Sequence, residues 1–210
     1  MSGILNSIDS VSKVITTGDK GYVFVSEQVF TSNGTWTKPP GITAVQVYIT
    51  GPGGGGGGAG VTGDAGAGGS AGGTAIEWIT SGLGVTETVT IGTGGAAGGN
   101  ATSHGANGSG ASSFGSHCSA GVGLGGRQGN ATPGAELGGI GSGGDLNLRG
   151  GCSEGGQDGA NNTPNTNGGD SYWNGGGKGG SYLGASTAGI YGGGGGGGMD
   201  KSQGTGDPAA

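Results

Sequence analysis

The residues of this chain that could do acid–base or metal chemistry are few, and their spacing does not bring them together. His104 and His117 are its two histidines. Neither has a nucleophile or a metal-ligand partner in the sequence around it, so both read as surface or hydrogen-bonded side chains. The thirteen acidic residues are dispersed, not paired for general acid and base work. Gly175-Gly176-Gly177-Lys178-Gly179 sets a lysine among glycines. It lacks the G-x-x-x-x-G-K-[ST] spacing and the strand–helix setting with which a phosphate loop turns backbone N–H groups toward phosphate. Residues 138–148 suggest a calcium-binding nonapeptide, but Asp145 stands at the wrong offset from the glycines and the unit does not recur. Cys118 and Cys152 make neither a zinc signature nor a disulfide framework. They either pair or remain free, and small buried thiols suit a chain whose first twenty residues show no export signal. No enzyme, metal or cofactor is expected from these residues.

The chemistry that remains is recognition. Tyr172 and Trp173 lie in DSYWN, and Asn161, Asn162, Asn165 and Asn167 lie in NNTPNTN. Aromatic and Asn-rich loops suit sugars or protein surfaces, because rigid rings supply contact area at low entropic cost. Two readings of Tyr172 and Trp173 stand side by side: ligand contact, or rings laid over glycine-rich backbone to shield it. The asparagine segment is either part of the same receptor-binding set or a solvated loop. Further stretches rich in side chains fall at residues 100–107, 127–137, 145–149 and 199–203.

Positioning these loops falls to glycine, which supplies 64 of 210 residues. From Gly51 it recurs at every third position: Gly54, Gly57, Gly60, Gly63, Gly66, Gly69 and Gly72. A period of three is that of a polyproline II helix, which makes no internal hydrogen bonds. If buried, its N–H and C=O groups must pair with neighbouring chains, and the missing Cβ is what lets backbones come that close. Collagen would need roughly 15–20% proline or hydroxyproline, whereas this run holds only Pro52. The later glycine phases are short and keep resetting, as in Gly92-Gly95-Gly98 and Gly189-Gly192-Gly195-Gly198. Short helices folded back on one another accommodate such resets. The expectation is a bundle of polyglycine II helices with exposed loops, with disorder as the alternative.

Apolar residues are segregated toward the front. Leu, Ile, Val and Phe number 31, of which 22 precede residue 92, so a small conventional core belongs there. Residues 22–30 read as a strand, Asn33-Gly34 as a hairpin turn, and residues 42–50, 74–80 and 85–91 as further strands. Val45, Val47 and Ile49 share one face. The expected fold is all-β and irregular: a small antiparallel β-sandwich over residues 21–91, with the polyglycine run 51–73 inserted, then a glycine-rich head over 92–210. Ile4, Ile8, Val11 and Ile15 repeat at coiled-coil spacing within residues 1–20. They read either as an attachment segment that docks on or trimerises with a partner, or as an amphipathic turn or strand edge covering the next domain.

The phrase FTSNGTWTKPPGITAVQVYITGPGGGGGG resembles the opening of glycine-rich domains in phage tail-fibre and receptor-binding proteins, and GSGASSFGSHCSAGVGLGG resembles their later segment. The likeness spans residues 28–206, its specific part being 30–37 with 42–58. In principle the back half is also similar to the polyglycine II tail-tip adhesins of T-even-like phages. That resemblance implies a virion protein of the tail fibre or tail tip, made in the host cytoplasm. It would join a fibre protein and recognise a bacterial surface receptor, protein or glycan, through displayed loops. A structural or ice-binding polyglycine II protein is the alternative. Seven basic residues scattered through a chain of net charge −6 speak against nucleic acid as a partner. No run approaches the ~18 apolar residues of a membrane span.

Overall fold

A computed structural model describes residues 24–59, 65–99, 103–129, 134–156, 166–180 and 186–199. The attachment spacing Ile4, Ile8, Val11 and Ile15 lies outside these residues, as do Asn161, Asn162 and Asn165. Among the described residues the chain is all-β, without a helix. The strands are β1 (Gly34–Thr37), β2 (Val45–Thr50), β3 (Thr74–Ile79), β4 (Thr86–Thr90), β5 (Ser112–Phe114), β6 (Cys118–Ala120), β7 (Gly141–Ser142) and β8 (Leu146–Leu148). They form two antiparallel sheets, ordered β1-β4-β5-β6-β7 and β2-β3-β8.

The core follows from strand alternation. Ile49 of β2, Ala75 and Ile79 of β3, Trp36 of β1, Val89 of β4, Phe114 of β5, and Cys118 and Ala120 of β6 are buried together. Val45, Val47 and Ile91 pack against them, as expected of their faces. Trp36 meets Phe114 edge-on at 5.6 Å between ring centroids, the geometry that sets a positive ring edge against a negative ring face. Val85 falls outside β4 and is exposed.

Half of this sandwich comes from beyond residue 91. Strands β5 to β8 complete both sheets, and Phe114 and Cys118 fill their core. The front strands alone leave too little apolar surface to close one. Residues 24–30, expected as a strand, belong to neither sheet, and Asn33-Gly34 does not form a hairpin turn. Instead Asn33 Oδ1 accepts the Ile91 N–H at 2.7 Å, and Gly34 opens β1 against β4.

Both cysteines are free, Cys118 buried and Cys152 exposed; the expectation of buried thiols holds for the first and not the second. Burial pushes the Cys118 thiol up to about 12, and the adjacent Glu77 carboxylate adds to the rise.

Strands β2 and β3 pair along their whole length, from Val45↔Ile79 to Thr50↔Thr74. Beyond Thr50 the two segments stay together, but the pairing period changes from two to three. Gly51, Gly54 and Gly57 donate to the carbonyls of Gly73, Ser70 and Ala67, each at 2.9 Å. The same step recurs all round residues 65–73. Gly66, Gly69 and Gly72 donate to Gly198, Gly195 and Gly192; Ala67, Ser70 and Gly73 donate to Arg127, Leu124 and Gly121; Gly68 and Ala71 donate to Glu154 and Gly151. The carbonyls of Ala71 and Gly69 in turn accept from Gly139 and Gly169. This glycine-rich bundle therefore satisfies its backbone through lateral partners on every side, the requirement for burying chain that bonds nothing within itself.

The glycine spacing has a steric cause. A Cβ on Gly51, Gly54 or Gly57 would strike the carbonyls of Gly121, Leu124 and Arg127. On Gly53 or Gly56 it would strike Gly193 and Gly196, and on Gly55 or Gly58 the carbonyls of Ala96 and Gly99. All three faces of this segment are closed by backbone, which is why six glycines stand in a row at 53–58. Pro52 is admitted at the end of the run. Its three-residue phase leads on to Gly55 and Gly58, which donate to Ala106 and Ser103, while the next carbonyl of that series, on Ser109, already accepts the Thr93 N–H.

Candidate functional site

Pairing across an antiparallel sheet puts opposed residues on the same face. The register therefore gathers Gln46 with Trp78, Tyr48 with Ile76 and Leu146, and Thr50 with Thr74 and Leu148. This is the outer face of β2-β3-β8, turned away from the core. Tyr48, Trp78 and Leu146 are 44%, 41% and 50% exposed there. The Asp145 carboxylate accepts the Trp78 N–H at 2.8 Å, so the edge of β3 is held just beyond its pairing with β8.

The loop at residues 170–174 is laid on one end of this face. Trp173 donates its indole N–H to Thr50 Oγ1 at 3.0 Å, and Thr50 Oγ1 is 2.9 Å from Thr74 Oγ1. Tyr172 stands edge-on to Trp173 at 4.8 Å and 88°. Tyr48 lies 5.6 Å from Trp173 and 6.3 Å from Tyr172. The loop is locked from within: Ser171 N–H donates to the Asn174 carbonyl at 2.8 Å, and Ser171 Oγ accepts the N–H groups of Trp173 and Asn174. Asp170 Oδ1 accepts the Gly176 N–H at 2.7 Å, which fastens the loop to the bundle. Trp173 remains 54% exposed and Tyr172 48%. These rings are fixed in orientation and open to solvent.

A second turn abuts the first. Gly192, at φ 82°, sits where a side chain would collide with Thr50 and Gly51 and approach Ser171. The two residues before it, Ile190 and Tyr191, are exposed, and Tyr191 itself has a φ of 50°. That left-handed backbone is unfavourable for a bulky side chain. The strain is confined to a turn that presents an aromatic residue beside the Tyr172–Trp173 loop.

No protein-family model matches the chain, and no characterised protein matches it either.

Of the residues singled out in the sequence, Tyr172 and Trp173 come together and are joined by Tyr48. Asn167 is placed inside the bundle, where its Oδ1 accepts the Gly179 N–H at 3.0 Å and its backbone N–H donates to Glu154. The glycine–lysine run at 175–179 is likewise absorbed by the scaffold: Gly177 N–H donates to Gly194, and Lys178 N–H to Thr187 Oγ1. His117 Nε2 lies 3.3 Å from Glu87 Oε1, and His104 Nδ1 accepts the Gln128 N–H at 3.2 Å. A polar groove of about 400 Å³ runs past His104, Asn107, Arg127 and Glu136. Within it Arg127 pairs with Glu136 at 2.7 Å and Asn107 Oδ1 accepts the Gly125 N–H, so its charges and amide oxygen are engaged in holding neighbouring segments together. Among the described residues no three His, Cys, Asp or Glu side chains cluster to hold a metal ion. No helix there is long and apolar enough to cross a membrane.

Tyr48 and Trp78 were not foreseen on this surface, whereas Leu146 falls in the side-chain-rich stretch 145–149 noted in the sequence. The signal for Tyr48 and Trp78 was present in strand parity. In VQVYIT the tyrosine takes the opposite face from Val45, Val47 and Ile49, and in TAIEWI the tryptophan takes the opposite face from Ile79.

Proposed function

We propose that this protein is a phage tail-fibre tip adhesin that recognises a bacterial cell-surface receptor, with its glycine segments acting as a bundle of polyglycine II helices. The observation that carries this reading is the fixed aromatic cluster of Tyr48, Tyr172 and Trp173, continued along the outer sheet face by Trp78 and Leu146. Recognition commonly resides on loops braced by a rigid scaffold. Contiguous exposed apolar surface on a soluble domain marks an interaction site, and Trp and Tyr dominate the binding energy of such sites. Attachment to the fibre, through residues 1–20, belongs to the same reading, as does residence in the virion. The resemblance of residues 30–37 and 42–58 to phage tail-fibre domains supplies the biological setting.

Trp173→Ala tests it. Adsorption to, or direct binding of, host outer-surface preparations should weaken by about 2 kcal/mol, the loss typical of an interface hot spot. The melting temperature should change little, because the indole is half exposed. Unchanged binding removes Trp173 from the site. Equal losses of binding and stability assign the ring to covering the sheet.

A further inference from the structure

The smaller sheet ends at β2, which has a strand partner on one edge only. β2 and β3 lie across from β5, β6 and β7, while the larger sheet continues through β4 to β1. Among the described residues, the strand position beside β2 is vacant. Free edges in soluble proteins are ordinarily guarded by charged residues, proline, bulges or shortness. The β2 edge is six residues long, VQVYIT, and has none of these guards. The other outer strands, β1, β7 and β8, are four, two and three residues long.

The chain also holds a segment without a sheet. Residues 24–30, FVSEQVF, are rich in the β-branched and aromatic types that favour strands. Among the described residues they belong to no strand, and no backbone hydrogen bond ties them to one. Phe24, Val25 and Val29 are 79%, 61% and 79% exposed. Phe30, by contrast, packs against the core of its own chain, so the segment is anchored at one end and stands free along the rest. One molecule thus carries an unguarded edge and an unpaired strand-former of matching length.

We propose that residues 24–30 of one copy add as a strand to the β2 edge of a second copy. Main-chain hydrogen bonds to β2 would give the affinity, as in other cases of strand addition. Burial of Phe24, Val25 and Val29 would remove their apolar surface from water. Because donor segment and acceptor edge are different surfaces, the exchange forms a reciprocal pair, a ring where the rotation closes, or an open filament where it does not. The proposal is independent of the receptor-binding reading, since it uses the edge of β2 and not the outer face.

The test uses the full chain with Cys152→Ser, which removes the exposed thiol. One preparation carries a single exposed cysteine, in place of Val25, Ser26 or Glu27, and the other carries Gln46→Cys; Cys118 stays buried in both. After mixing under mild oxidation, a disulfide between the two different chains is expected for at least one position. It should exceed the products of either preparation alone by about tenfold, equivalent to 1.4 kcal/mol of preference. Sedimentation should show wild-type chain associating with rising concentration, and the Val25→Lys, Val29→Lys double variant should remain monomeric with its melting temperature retained. A wild-type chain that stays monomeric at every concentration overturns the proposal. So does a Val25→Cys, Gln46→Cys double variant that closes its disulfide within one chain.

Discussion

The sandwich and the glycine bundle share one polypeptide and are joined without a break where β2 and β3 run on into residues 51–73, yet opposite means hold them. In the sandwich, side chains such as Trp36, Ile49 and Phe114 exclude water between two sheets. In the bundle there is almost nothing to exclude it with, and stability rests on hydrogen bonds between backbones that touch because side chains are missing. Each such bond is worth only about 0.5–1.5 kcal/mol net, whereas a buried N–H or C=O left without a partner costs about 1–3 kcal/mol. A bundle of this kind is therefore cooperative in the negative sense: separating one pair of segments strands several groups at once.

The comparison breaks most sharply on a pair of one-methyl changes. Gly54→Ala adds a methyl group where the Leu124 carbonyl already lies. The neighbouring segment must move away, taking with it the bonds from Gly123 to Pro52, from Gly126 to Gly55 and from Ser70 to Leu124. The expected loss exceeds about 4–5 kcal/mol, the range reserved for a disrupted core or network, and is read as loss of the cooperative melting transition. A variant that melts like wild type would show that the segments are not in close contact. Ile49→Val removes one methylene from the sandwich core. It should cost about 0.5–1.5 kcal/mol and leave a single transition at slightly lower temperature. If Ile49→Val proves the more damaging of the two, the division of labour between side chain and backbone is wrong.

The smallest effect should come from the rim of the larger sheet. The Glu87 carboxylate is held below its ordinary value of 4.5, chiefly by the Gly84 N–H that donates to it and further by His117. A carboxylate depressed in the folded state adds stability above its unfolded value and gives it up as pH falls through the folded one. Glu87→Gln should thus be less stable than wild type at pH 7 and equal to it once the pH is well below 4. Melting curves for both chains between pH 7 and pH 3 check this, and a gap that stays constant across the range would assign the difference to packing alone.

Much of the scaffold was legible because its causes are local. The unbroken glycine phase from Gly51 reported a backbone packed on all sides, and the parity of Val45, Val47 and Ile49 reported the inner face of β2. The strands at Ser112–Phe114, Cys118–Ala120 and Leu146–Leu148 were not legible. Three residues of mixed size carry no readable alternation, and their pairing is decided by partners as distant as Thr74 is from Leu148 in the chain. The reverse error occurred at residues 24–30, where strong strand propensity met no partner among the described residues. Propensity describes a fit to a sheet, and the sheet must be supplied. For the site, aromatic content located Tyr172 and Trp173, but only the register of β2 with β3 could add Tyr48 and Trp78 to the same surface.

The three-residue hydrogen-bond step also sets a rule for how this molecule can vary over time. Each glycine segment bonds a given neighbour at every third residue, so an insertion or deletion inside a segment keeps each following position facing the same neighbour only when it comes in whole units of three residues. One or two residues more would rotate every following position onto the wrong neighbour and bring non-glycine residues against a carbonyl. Between segments no such counting applies. The stretch that presents Tyr172 and Trp173, or the turn at Ile190 and Tyr191, can lengthen, shorten or change its residues while the segments on either side keep their places. The scaffold thus confines genetic variation to its connections, where residues can be gained, lost or exchanged while the framework stays intact.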